Sequence, residues 1–385
     1  MENLKEIEPQ KDDYILFDSK AYVYNENYLW NLFRNENQFE NLIAGSPDPV
    51  LTSLVAGTII GNMIEDGKIW LMILGKASSG KTYTVNLFKT LEQHKILYYV
   101  GKFTSASLFS VRNYEKSMIN QVAKGGTIIC KDFSSFLARG MANYYKIMNM
   151  LREIYDGYYE DRTVEGVYRW VGKIGMIVCA TLIIQKRRLY MYEMGDRFVY
   201  YKINPQFQPI LCTADLGQYI LENCYDRLLK KDGSLISLCD IENKHKKEIE
   251  LIAEMIEISR TANPLKHRKF REYVIEPNLH FRLVHQLNTL AAGLAIAYNY
   301  SCVNEKIIKI LLELVYRGSL ERYAKIINCI FKEKITNGRV IKQHYNLSKV
   351  IFQYALQDLQ EFGLLTINND TIEPAEKFKI IFENY

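Results

Sequence analysis

Leu71-Met72-Ile73-Leu74-Gly75-Lys76-Ala77-Ser78-Ser79-Gly80-Lys81-Thr82 decides how this chain is read. An apolar run ends at Gly75, and Gly75 through Thr82 spells G-x-x-x-x-G-K-T, the phosphate-binding loop. The spacing follows from the chemistry. Glycines let the backbone curl so that consecutive N–H groups of Gly75, Lys76, Ala77, Ser78, Ser79 and Gly80 point inward at a polyphosphate. Lys81 reaches the β- and γ-phosphates, and the Thr82 hydroxyl takes a ligand position on Mg²⁺. A helix that begins here and runs through Val85, Leu87 and Phe88 adds its positive N-terminal end. The motif needs a strand before it and a helix after it, and the sequence offers both.

The second half of such a site needs an acid at the end of a buried strand. Thr127-Ile128-Ile129-Cys130-Lys131-Asp132-Phe133 has that form. The usual pattern ends in two adjacent acids, whereas this chain has Lys131-Asp132. Asp132 therefore covers either the metal-orienting role or the general-base role. Residues 173–181 form another apolar run ending in a hydroxyl, Thr181, which can sense the γ-phosphate or position water. Further strands are expected over 95–100 and 199–203. Strands alternating with helices behind a phosphate loop imply an α/β fold: a parallel sheet with its ligand at the strand C-terminal ends.

Working outward, 50–63 reads as an apolar helix entering the core after the turn cluster Gly45-Ser46-Pro47-Asp48-Pro49. Thr104 to Leu108 reads as a helix start with capping hydroxyls. A helix over 114–122 is expected to stop at Gly125-Gly126, and one over 144–155 at Asp156-Gly157. Residues 158–164 and 167–171 alternate around Glu165-Gly166, a hairpin signal. From 216 to about 318 the pattern reads as helical throughout, with charged clusters at Lys244-His245-Lys246-Lys247 and Lys266-His267-Arg268-Lys269 that read as solvated faces. A helix starting at Glu276-Pro277-Asn278 carries its apolar residues at helical spacing through Leu294, with Arg282 pointing elsewhere. The end of the chain reads as helices over 323–332, 340–345 and 348–362, Gly363 as a cap, and a ribbon over 364–367 and 371–373. Three helices and a ribbon make a winged-helix pattern. Its third helix carries Lys349 but also Asp358 and Glu361, which leaves DNA contact and protein contact both open.

With 385 residues and 48% hydrophobic content the chain can build two or three packed domains. The organisation expected is an arm that could dock a partner over 1–46, a nucleotide-binding core over 47–215, a helical lid over 216–318 and the winged helix over 319–385. The net charge of +5 permits an anionic partner without demonstrating one. The seven cysteines (130, 179, 212, 224, 239, 302 and 329) stand singly, which argues against a zinc site or a disulfide framework. The N-terminus lacks a signal-peptide core, and no apolar run approaches about 20 residues, so a cytoplasmic protein without a membrane span is expected.

Taken together, the loop Gly75–Thr82, the strand ending Lys131-Asp132-Phe133-Ser134, the segment Leu151-Arg152-Glu153-Ile154-Tyr155-Asp156-Gly157, the hairpin and 175–181 resemble AAA+ ATPases of the pre-sensor-1 hairpin group. The closest likeness is to the minichromosome-maintenance-like replicative helicases of phages and mobile genetic islands, from about Pro49 to the C-terminus. The resemblance implies a ring or spiral hexamer with Mg-ATP between subunits. One subunit would supply Lys81, Thr82, Asp132 and Thr181. The stretch Gly195-Asp196-Arg197-Phe198 is similar to the segment carrying the family's arginine finger, so Arg197 would act on the neighbour's nucleotide, and Arg282 matches the second-sensor position. The hairpin would line a channel and touch single-stranded or forked DNA. Its tip, Val164-Glu165-Gly166, lacks the lysine of close relatives, which leaves Arg162, Tyr168 and Arg169 as the DNA-contact candidates. The implied activity is ATP-driven DNA unwinding in replication of a mobile element. The alternative is an initiator or loader that uses ATP as a switch.

Overall fold

The computed structural model describes residues 38–44, 46–101, 108, 117–122, 124–134, 141–163, 166–182, 184, 197–203, 215–261, 281–344 and 349–385. The proposed arm before residue 38, the helix start at Thr104, the hairpin tip at Val164-Glu165, Gly195-Asp196, the 266–269 cluster and Pro277 lie outside the described residues.

The strands are β1 (Trp70–Leu74), β2 (Leu97–Val100), β3 (Lys124–Cys130), β4 (Tyr158–Thr163), β5 (Gly166–Val171), β6 (Lys173–Ala180), β7 (Val199–Lys202), β8 (Glu242–Asn243), β9 (Cys302–Val303), β10 (Leu365–Asn368) and β11 (Thr371–Pro374). Five of them form one parallel sheet in the order β2-β3-β6-β1-β7. The chain is thus α/β, as the alternating pattern implies. Side chains alternate across the sheet. Leu71, Ile73, Ile177 and Tyr201 enter one apolar cluster, while Trp70, Met72, Met176 and Tyr200 enter a second on the other face. That is why the strands read as continuous apolar runs rather than alternating ones.

Among the described residues the helices are α1 (Gln38–Ala44), α2 (Pro49–Met63), α3 (Lys81–Asn86), α4 (Met118–Val122), α5 (Met141–Asp156), α6 (Leu216–Asn223), α7 (Lys246–Arg260), α8 (Phe281–Ala297), α9 (Glu305–Gly318), α10 (Glu321–Ile327), α11 (Gly338–His344), α12 (Lys349–Glu361) and α13 (Lys379–Asn384). Helix α2 is buried from Leu51 to Met63, as an all-apolar helix must be. Asp48 caps it, accepting from Leu51 N–H at 3.0 Å and from the Tyr201 hydroxyl at 3.0 Å. Helix α8 packs along α2. The approach is close because both helices carry glycine at the crossing: a Cβ on Gly293 would lie 2.1 Å from the Gly57 carbonyl oxygen.

Two sequence expectations are corrected. Gly125-Gly126 does not stop a helix; it lies inside β3, where the register with β6 shifts between Lys124 and Thr127. A Cβ on Gly126 would meet the Tyr98 ring at 2.8 Å, so glycine serves a close approach there. The stretch 216–318 is not helical throughout, because β8 pairs in parallel with β9. At the C-terminal end, α10, α11 and α12 precede the antiparallel ribbon β10–β11. Gly363, with φ +72°, follows α12 as the cap. Asp358 is buried, accepting from the Tyr323 hydroxyl at 2.7 Å with Arg322 at 3.5 Å, so its charge is not on the surface of α12. No described helix is long and apolar enough to cross a membrane.

Candidate active site

The loop 75–82 follows β1 directly. Gly75 N–H donates to the Ala180 carbonyl at 3.2 Å, which fixes the loop's entry to the neighbouring strand β6. A Cβ on Gly75 would sit 2.5 Å from Ser79 Oγ. Ser78 and Gly80 take left-handed conformations (φ +59° and +89°), and these fold the backbone back on itself. Lys81 is buried, and its amine donates to the carbonyls of Gly75 at 2.9 Å and Lys76 at 2.5 Å and to Ser79 Oγ at 3.2 Å. Desolvation lowers its pKa, and the Asp132 carboxylate opposes that shift. Lys76, Ala77, Ser78 and Thr82 are exposed around this buried cation. The result is a cradle with one ammonium at its base, a form that suits a polyphosphate.

Helix α3 is shorter than expected, ending at Asn86 and leaving Leu87 and Phe88 outside it. Its ladder is diverted by distant residues. The Tyr99 hydroxyl donates to the Val85 carbonyl at 2.9 Å, and the Leu87 carbonyl accepts from Leu216 and Gly217 N–H at 3.0 and 3.3 Å.

Asp132 and Thr181 lie at the same edge of the sheet as the loop. Cys130 pairs with Val178 and Leu74 with Ala180, so all three strands end together. Phe133 N–H donates to the Cys179 carbonyl at 2.9 Å. Ser134, to which the sequence reading gives no role, accepts from Thr181 N–H at 2.7 Å and from Thr181 Oγ1 at 3.1 Å. It therefore holds the hydroxyl of β6 against the turn that carries exposed Asp132. Lys131, which stands where the paired-acid pattern has its first acid, places its amine 4.5 Å from the centre of the Tyr99 ring.

Arg197 and Arg282 are elsewhere. Val199 pairs with Leu71, so Arg197 lies beside the start of β1. At about 3.3 Å per residue, the five residues of β1 put it on the order of 15 Å from the loop 75–82. Arg197 is buried and donates to Asp156 Oδ2 at 3.0 Å and Oδ1 at 3.4 Å. Its guanidinium lies 5.9 Å from the centre of the Tyr155 ring, and that of Arg282 lies 5.8 Å from the same ring. Lys68 is 4.5 Å from that ring and donates to the Tyr155 carbonyl. Burial lowers the Arg197 pKa, Arg282 lowers it further, and Asp156 raises it. The fold thus sorts the candidates into two groups at opposite ends of the sheet, Lys81, Thr82, Asp132 and Thr181 at one and Arg197 and Arg282 at the other. The separation follows from the parallel pairing of β1 with β7, Lys81 coming after the one strand and Arg197 before the other. The sequence reading also gives Gln286 no role. It sits in the buried stripe of α8, and a polar residue at an apolar position of the helical period was the signal available.

The hairpin β4–β5 presents one face outward. Glu160 pairs across to Arg169 and Arg162 to Val167, so Arg162 and Arg169 share a face with Glu160. Glu160 accepts from Arg162 Nε at 2.6 Å, Arg169 Nε at 2.9 Å and the Tyr158 hydroxyl at 2.6 Å. Those three bonds hold its carboxyl down at about 2. Tyr168 is on the other face, packed against the second apolar cluster together with buried Trp170. Among the described residues no group of acids, histidines and cysteines forms a ready metal site. No protein-family model matches the sequence, and no curated protein matches it.

Proposed function

We propose that the chain is a nucleotide-driven ATPase of the AAA+ type that moves on or unwinds single-stranded or forked DNA. The observation that carries the reading is the cradle at the end of β1. A buried Lys81 amine is ringed by loop oxygens, and Asp132 and Thr181 stand at the same sheet edge. On this reading Gly75 to Gly80 wrap the phosphates of ATP, and Lys81 exchanges its loop carbonyls for phosphate oxygens. Thr82 and Asp132 would hold Mg²⁺, which neutralises charge on the transferred phosphoryl. Asp132 or the Thr181 hydroxyl would position the attacking water.

Arg197 and Arg282 are a strand's length from the loop of their own chain, so neither can serve that loop without a large movement. The separation supports a site shared between copies, in which these arginines face the nucleotide of a neighbour in a ring, most simply a hexamer. The C-terminal helices and ribbon are read as a winged helix that contacts DNA or protein. Under this proposal DNA contact is to phosphates, and affinity falls with salt.

The test is ATP hydrolysis with and without single-stranded DNA, together with strand separation on a forked duplex. Hydrolysis that is stimulated by DNA and yields separated strands supports the proposal. Hydrolysis indifferent to DNA, with no separation, overturns it. A second reading, an initiator or loader switch, has one observation in its favour: both outward arginines of the hairpin are already paired with Glu160. The unwinding assay divides the two.

A further inference from the structure

The pair Arg197–Asp156 joins two parts of the molecule that the sequence treats separately. Arg197 precedes β7. Asp156 is the last residue of α5, separated from the hairpin β4–β5 by Gly157 alone. The Arg197 side chain is 7% exposed and that of Asp156 is 53% exposed, so the arginine is covered while its acid faces solvent. The base of the hairpin is tied to the same spot. Gly157, at φ +91°, donates to the Ile154 carbonyl at 3.1 Å, and its own carbonyl accepts from Gly172 N–H at 3.1 Å. A displacement of the hairpin at its base therefore moves Asp156.

The surroundings make Asp156 a stand-in anion. Arg282 and Arg152 repel the Arg197 guanidinium, and Lys68 faces the same Tyr155 ring. Both Asp156 oxygens accept from one nitrogen, Arg197 Nη2, and a phosphate binds a guanidinium through the same kind of N–H contact as a carboxylate. The arginine is covered where Asp156 holds it, so it reaches a phosphate of another chain only by leaving that position.

We propose that Asp156 is a latch: it holds Arg197 in a covered, anion-satisfied position, and movement of the hairpin on contact with nucleic acid withdraws the carboxylate and frees the arginine for the neighbour's nucleotide. Asp156 is thus a positioning residue, acting through Arg197. The inference rests on the proposed function and adds how DNA contact and hydrolysis are linked. A two-state element of this kind needs DNA to favour the released state, which contact at the hairpin supplies.

Two readouts on the full chain test it. The first is the ATPase rate with and without a single-stranded oligonucleotide for the wild type, Asp156→Asn and Asp156→Glu. Asp156→Asn is expected to hydrolyse ATP without DNA at about the wild type's DNA-stimulated rate, so that the stimulation ratio falls to about one. Asp156→Glu, which keeps the charge, restores a wild-type ratio. A structural role alone would lower both rates together, and that result, or an unchanged ratio in Asp156→Asn, overturns the latch. The second readout is modification of Arg197 by phenylglyoxal in the wild type, mapped by peptide mass, which needs no variant to fold. Arg197 is expected to be protected without DNA and reactive with it, and protection that DNA does not change overturns the latch. Arg197→Ala hydrolysing at the wild-type rate would instead remove the finger itself, and with it both the shared-site reading and the latch. If DNA stimulates nothing in the wild type and leaves Arg197 protected, release by DNA is overturned together with the DNA reading, and Arg197 reactive in Asp156→Asn then shows that the carboxylate's hold on the arginine is separate from that failure.

Discussion

Gln286 and Trp70 meet at the start of β1: the first N–H of that strand donates to Gln286 Oε1 at 3.0 Å. The same carboxamide donates through Nε2 to the Arg197 carbonyl at 3.1 Å, and Gln286 lies one helical turn after Arg282. One buried side chain therefore fixes β1, Arg197 and the helix of Arg282 together. Gln286→Leu strands the Trp70 N–H and the Arg197 carbonyl and is expected to destabilise the fold by about 1–3 kcal/mol. Denaturant unfolding measures it, and an unchanged midpoint would show that the link is not needed.

Helix α8 reaches α2 only through glycine. Gly293→Ala would put a Cβ against the Gly57 carbonyl and 2.8 Å from Gly61 N, both backbone atoms that cannot swing aside. A loss on the order of 3 kcal/mol is expected. Gly101→Ala, where nothing lies within 4 Å, is the control and should stay within about 0.5 kcal/mol. Equal effects of the two in thermal unfolding would refute the packing argument.

The outward arginines of the hairpin are tied to one acid. Glu160→Gln removes the charge that pairs Arg162 and Arg169, and under the proposed function affinity for single-stranded DNA should rise by about tenfold at low salt. The salt slope should steepen with it. Glu160 is held at about 2 in the folded chain against an ordinary 4.5, so its contribution is complete above 4.5 and is lost as pH falls through about 2. Acidification from pH 7 to 5 should therefore not release the arginines. A Glu160→Gln affinity equal to wild type would mean that the hairpin face does not meet DNA.

Lys173 carries a pH signature of its own. Its amine donates to the carbonyls of Ile64 and Glu65 at the end of α2, and burial depresses it to about 8. A group whose folded value is depressed gives less stability as pH falls through that value, and the full contribution returns only above the unfolded value of 10.5. Stability from this residue should rise from pH 8 to about 9.5, below the range where tyrosines of the unfolded chain ionise. Thermal melts of wild type and Lys173→Met across that window test it. Parallel curves would remove Lys173 as the cause.

What could be read from the sequence was local. The loop 75–82, the strand ending at Asp132 and the strand ending at Thr181 are contiguous words, and a run of buried residues bounded by turn residues identifies a parallel strand. What could not be read depended on partners far along the chain. Helix α3 ends early because Leu87 gives its carbonyl to Leu216 and Gly217. Gly126 reads as a stop until the Tyr98 ring is placed against it. Asp358 reads as a surface acid until Arg322 and Tyr323 surround it. The division of Lys81 from Arg197, by contrast, follows from strand direction, since Lys81 comes after β1 and Arg197 before β7 in a sheet whose pattern reads as parallel.

The most direct measurement is ATP hydrolysis by Lys81→Ala, by Arg197→Ala and by their equimolar mixture, each with single-stranded DNA. Each variant alone should lose about three orders of magnitude, one for want of the phosphate-binding cation and the other for want of the charge that stabilises the transferred phosphoryl. On random mixing in a closed ring, about a quarter of the interfaces pair an intact Lys81 with an intact Arg197, so about a quarter of the wild-type rate should return. That recovery is the result a shared site predicts. A mixture as inactive as its components, or an Arg197→Ala variant as active as wild type, would contradict it.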